Sequence, residues 1–144
     1  MRKLATSVTV LLALVLAVLP ASSANAMVTV TAGSPWEASY QTATASGTAE
    51  VATTGFFTKE LAVTGELANT GPDCYYAALY ISRDFGGSWR PSPVQCGPGA
   101  SPIDFRIQIS GPIWSAWMYV CQGSTPGGGP FPPFDSCGAG VRVP

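Results

Sequence analysis

The chain alternates apolar and polar residues with a period of two over several segments. In residues 59–68, KELAVTGELA, Leu61, Val63 and Leu67 alternate with Glu60, Thr64 and Glu66. In residues 102–110, PIDFRIQIS, Ile103, Phe105, Ile107 and Ile109 alternate with Asp104, Arg106 and Gln108. Successive side chains of a strand point to opposite faces, so each segment predicts a strand with one buried and one wet face. Residues 74–82, CYYAALYIS, and 113–121, IWSAWMYVC, are apolar at both parities. They predict strands near a sheet centre, or strands whose second face is covered or used. MVTVTA (27–32) and GVRVP (140–144) read as short strands.

Between these runs stand Gly71-Pro72, Gly86-Gly87, Gly97-Pro98 and Gly111-Pro112, turn chemistry at the spacing of a sandwich or small barrel. The stretch Gln41 to Thr54 is mostly Thr, Ala and Ser, open between a weak edge hairpin and a flexible stalk, with weak strands expected. GSTPGGGPFPPFDS (123–136) lacks amide donors at its prolines and resists ordering at its glycines, which predicts a loop. Helical periodicity is absent outside the N-terminal segment. The fold class expected is all-β: a small antiparallel β-sandwich, Ig-like or Greek-key.

The N-terminus changes the picture from fold to address. Arg2 and Lys3 precede the apolar run Val8 to Leu19, and Ala24-Asn25-Ala26 has the small-x-small form of a cleavage site. Residues 1–26 are therefore expected to be a secretory signal peptide and 27–144 a single domain, with 41–54 its least regular part. The apolar run is shorter than the roughly 20 residues that span a bilayer, so no membrane attachment is expected after cleavage. Removal of Arg2 and Lys3 leaves acidic residues in excess, which argues against nucleic-acid binding.

In an exported chain an even set of cysteines predicts disulfides. Cys74, Cys96, Cys121 and Cys137 allow three connectivities. The pairing Cys74 with Cys96 and Cys121 with Cys137 is favoured, because each then ties a strand to the next local segment. With no His and no closely spaced Cys pair, no metal site is expected.

One short motif stands out. Asp84-Phe85-Gly86 has the form of a kinase metal-binding triplet, but no phosphate-binding loop, contacting Lys or catalytic loop accompanies it. The wider pattern Ser82-x-Asp84-x-Gly86-x-Ser88-Trp89 resembles the Asp-box, or BNR, turn of sialidases and related β-propellers. That resemblance implies a hairpin in which Asp84 accepts backbone N–H bonds, Gly86 supplies a positive φ and Trp89 anchors the turn. It implies a structural role, because a propeller requires several repeated blades and this chain has one copy. As a whole the chain resembles small, signal-bearing, four-cysteine bacterial secreted proteins, a likeness of plan.

For chemistry the residues offer little. Without His there is no Ser-His-Asp or Cys-His arrangement, and the carboxylates are scattered singly, so no catalytic residue and no cofactor is expected. Every Trp, Tyr and Phe lies after residue 26. If Tyr75, Leu79 and Ile81 face the core, Tyr76 and Tyr80 face outward; if Trp114, Met118 and Val120 face the core, Trp117 and Tyr119 face outward. These rings either present an aromatic strip to a glycan or protein ligand or cover a second core layer. Trp89-Arg90 also looks like part of the exposed Trp-Arg-Tyr triplet of small secreted β-sandwich inhibitors of α-amylase, with Pro91 where the Tyr would stand. The expected function is an extracellular binding domain with an unidentified partner. The alternatives are a hydrolase inhibitor acting through Arg90 and a small extracellular hydrolase.

Overall fold

The computed structural model describes residues 33–83, 86–111, 114–124, 126 and 134–144. The expected signal peptide and the 27–32 strand lie outside the described residues, as do Asp84 and Phe85 of the Asp-box pattern. Nine strands are described: β1 (Ser34–Tyr40), β2 (Ala43–Thr53), β3 (Thr58–Asn69), β4 (Cys74–Arg83), β5 (Gly86–Pro91), β6 (Gln95–Cys96), β7 (Gly99–Ser110), β8 (Trp114–Gln122) and β9 (Val141–Val143). They form two antiparallel sheets. The first has the order β1-β2-β3-β7; the second has β5-β4-β8-β9, with β6 also paired to β4. The all-β sandwich read from the alternation is therefore the fold.

The chain changes sheet between β3 and β4, between β6 and β7 and again between β7 and β8, while β3 lies beside β7 and β4 beside β8. These interlocked crossings bring the alternating faces together. Trp36, Ala45, Leu61, Val63, Leu67, Ile103, Phe105 and Ile109 of the first sheet meet Tyr75, Leu79, Ile81, Ala116, Met118 and Val120 of the second in one buried core. Full burial of an aliphatic side chain contributes about 1.5 to 3 kcal/mol, so this face accounts for most of the driving force.

The Thr/Ala/Ser-rich stretch forms β2, an interior strand of eleven residues rather than an edge or a stalk. Its small residues explain the position. Ala43, Ala45 and Ala49 are buried, and Gly47 lies opposite Gly65 of β3. A Cβ at Gly47 would strike the Thr64 carbonyl, and one at Gly65 would strike that of Ser46, so the two strands approach more closely than any side chain there permits. The turn into β2 places Gln41 at φ 52°, and the Gln41 side chain accepts a hydrogen bond from the Tyr75 hydroxyl at 3.0 Å.

The connection out of β3 is organised by Asn69, only 3% exposed. Its Nδ2 donates to the carbonyls of Gly71, Asp73 and Gly97 at 3.1, 2.8 and 3.0 Å. Its Oδ1 accepts from the Thr42 hydroxyl and the Gly71 amide, both at 3.0 Å. Two disulfides complete the frame, Cys74–Cys96 between the facing strands β4 and β6 and Cys121–Cys137 from β8 to the segment before β9. Such bridges persist in oxidising compartments.

Candidate functional site

The outer faces of the two sheets differ, and the difference begins with parity. On the first sheet the outward positions include Glu37, Thr44, Ser46, Thr48, Glu50, Glu60, Thr64, Glu66, Asp104 and Arg106, with only small apolar residues such as Ala52, Ala62, Ala68 and Pro102 between them. On the second sheet the outward positions of β4 and β8 include Tyr76, Ala78, Tyr80, Trp117, Tyr119 and Cys121, with Ser82 and Ser115 paired at one end.

Cross-strand register sets these outward residues in rows. Trp89 of β5 is opposite Tyr80 of β4, Tyr80 opposite Trp117 of β8, and Trp117 opposite Arg142 of β9. In the next row Pro91 is opposite Ala78 and Ala78 opposite Tyr119. Ala78 leaves space above β4, and across it the Trp89 indole approaches the Tyr119 ring at 5.6 Å between centroids. The Tyr80 ring is 6.3 Å from the same indole. Such distances and tilted planes suit the quadrupoles of aromatic rings. Glycines set the rings down on the sheet: a Cβ at Gly87 would strike the Tyr80 ring, and one at Gly140 the Tyr119 ring.

These residues form a second apolar cluster, separate from the main core. Tyr76, Ala78, Trp89 and Cys121 are its buried members, with Tyr80, Val94, Tyr119 and Cys137 partly buried around them. Within it, burial and the neighbouring Tyr80 raise the pKa of the Tyr119 phenol above its ordinary value of 10.0. The Trp89 Nε1 is buried with no hydrogen-bond partner among the described residues, so the indole is held by packing.

The five residues proposed from sequence for ligand contact thus separate. Tyr80, Trp117 and Tyr119 are half-buried on one face, and register places them together. Tyr76 is 1% exposed, and its ring serves packing, not contact. Arg90 is exposed, yet it stands within β5 opposite Leu79 rather than in a loop, and its parity carries it to the other side of the sheet. Trp89 is 9% exposed, so the inhibitor-like pair retains only Arg90 on the surface. Of the Asp-box pattern, β4 and β5 pair as far as Arg83 opposite Gly86, whose φ is 144°. Arg142, beside Trp117 on the same face, is an exposed cation that the alternation does not single out, because β9 is only three residues long.

Among the described residues no group of three or more His, Cys, Asp or Glu side chains is placed to hold a metal ion. No protein-family model, curated protein or solved structure matches the chain.

Proposed function

We propose that this protein is a secreted, non-enzymatic binding domain whose recognition surface is the outer face of the β5-β4-β8-β9 sheet. Tyr80, Trp117 and Tyr119 supply flat apolar contact, and Arg142 supplies a charged, hydrogen-bonding rim. The observation that carries this reading is the placement of half-buried rings in register on a face whose counterpart across the sandwich is polar. Rings fixed by packing against Trp89, Gly87 and Gly140 lose little rotamer freedom on binding, which favours affinity. Flat, ordered rings with polar neighbours suit the apolar faces of sugars. Two disulfides in so small a chain are in keeping with secretion.

The test is retention of the purified mature domain on insoluble polysaccharides and cell-wall material, with parallel assays for inhibition of secreted hydrolases and for product release. Retention without turnover is expected. Trp117→Ala and Tyr80→Ala each weaken it by about 1 to 2 kcal/mol, roughly five- to thirtyfold in Kd, with the fold intact. Arg90→Ala leaves it unchanged. Hydrolase inhibition that disappears with Arg90→Ala would transfer the function to the β5 edge, and sugar or peptide release abolished by one carboxylate substitution would make the protein an enzyme.

A further inference from the structure

The β2-β3 hairpin ends in the most exposed large apolar residues described in the chain. Phe56 is 96% exposed and Phe57 80%, and their rings pack edge to face at 5.3 Å. The signal was visible in the sequence as two consecutive aromatics within the Thr/Gly connection between β2 and an alternating strand. Soluble proteins scatter single apolar residues over their surfaces, whereas a contiguous exposed pair at a protruding tip marks an interaction site.

We propose that this tip docks the protein onto a lipid surface, with Phe56 and Phe57 entering the apolar side of the bilayer interface and Lys59 meeting anionic headgroups. Four features of the hairpin favour a bilayer over a protein partner. The rings expose roughly 300 to 400 Å² together, and even doubled by a matching surface this falls short of the roughly 1,000 Å² of a stable protein interface. The stretch Val51 to Thr58 carries no charge, and Lys59, the first charge after it, is exposed. The nearby Glu60 carboxylate lies 3.6 Å from the Arg106 guanidinium and is offset by it. Finally, the base of the turn is bonded across itself. The amides of Thr54 and Gly55 both donate to the Thr58 carbonyl, at 3.0 and 3.2 Å, and the Thr54 hydroxyl lies 3.3 Å from the Thr58 hydroxyl.

Backbone that enters an apolar medium without such bonds is strongly penalised, so a tip whose bonds lie at its base is suited to shallow insertion led by the two rings. A cleft of about 320 Å³ beneath the rings, lined by Thr53, Gly55, Phe56, Phe57, Lys59 and Gly111, is of a size to take a short apolar chain segment. The expectation that the mature chain leaves membranes alone considered only spanning segments, and a docking hairpin needs none.

The experiment is co-sedimentation of the full mature chain with two sets of vesicles, pure phosphatidylcholine and phosphatidylcholine mixed with phosphatidylglycerol. Binding is expected, stronger to the anionic set and weakened by salt. Phe56→Ser and Phe57→Ser each reduce it roughly ten- to hundredfold, and the double variant abolishes it, as expected when a buried aromatic is withdrawn from an apolar phase. Lys59→Gln removes most of the preference for anionic lipid. Thermal melting of all four variants stays at the parent value, because the substituted side chains are exposed. The proposal is overturned if the parent chain does not sediment with either set, or if the double variant sediments equally well. It is also overturned if the tip mediates a concentration-dependent dimer without lipid binding, or if Trp117→Ala abolishes vesicle binding while the tip variants do not. That last outcome would assign lipid to the aromatic face and leave the hairpin without a role.

Discussion

The outer faces of the two sheets obey the same alternation and arrive at opposite surfaces. On the β1-β2-β3-β7 sheet the large outward side chains carry carboxylates and hydroxyls, and their contacts are small: the Thr48 and Thr64 hydroxyls at 3.3 Å across β2 and β3, and Arg106 at 3.6 Å from Glu60 on the neighbouring strand and from Asp104 on its own. On the β5-β4-β8-β9 sheet the same parity carries tyrosines and tryptophans, which gather around Trp89 and the Cys121–Cys137 bridge into a second apolar layer. A sandwich needs one apolar face per sheet. The second apolar face on β4 and β8 is therefore surplus to the fold's main core, and its partial burial adds stability while leaving ring surface open.

The contrast is sharpest in stability. Trp89→Ala on the aromatic face is expected to lower the unfolding free energy by about 3 to 5 kcal/mol, the range for removing a large buried ring. Thr64→Ala on the opposite face costs no more than about 0.5 kcal/mol. Chemical denaturation of the two variants measures both, and equal losses would erase the distinction between the faces. Next in size is the bridge beneath the aromatic layer. Replacing Cys121 and Cys137 together by Ala opens a loop with a sequence separation of 16, which the chain-entropy model values at about 3 kcal/mol. The loss should appear as a lower denaturation midpoint.

On the polar face, Arg106→Ala removes both ion pairs, in which Arg106 and Asp104 are largely exposed and Glu60 partly so, and should change stability by less than about 0.5 kcal/mol. A larger loss would mean that the charged face is an organised network. The smallest effect concerns pH. Because the Tyr119 pKa is raised in the folded state, the unfolded chain releases that proton first as pH rises past 10.0. Its contribution to stability is intact below that value and declines above it, until the folded-state pKa is passed. Tyr119→Phe should therefore flatten the alkaline limb of the stability curve slightly, and an unchanged limb would contradict the packing assigned to this ring.

Much of this architecture was legible in the chain because it is local. The alternation at Leu61-Val63-Leu67 and Ile103-Phe105-Ile107-Ile109 predicts the buried face residue by residue, since the strand period is set by backbone geometry. Double-sided apolarity in 74–82 and 113–121 predicted a used or covered second face, and an even set of cysteines predicted bridges.

The tertiary structure decided what depends on neighbours distant in sequence. The interior place of β2 was hidden by its weak composition and became evident only where Gly47 meets Gly65. Tyr76 and Tyr80 share a parity on β4, yet Tyr76, opposite Cys121, is buried while Tyr80, opposite Trp117, remains half open. Arg90 and Trp89 are adjacent in the chain but belong to opposite sides of β5. Asn69 reads as an ordinary turn residue until three carbonyls from its own connection and the Gly97 loop converge on its amide. In each case the outcome depends on segments beyond the residue's own strand. Periodicity fixes which way a side chain points, whereas only the pairing of the whole chain determines what lies above it.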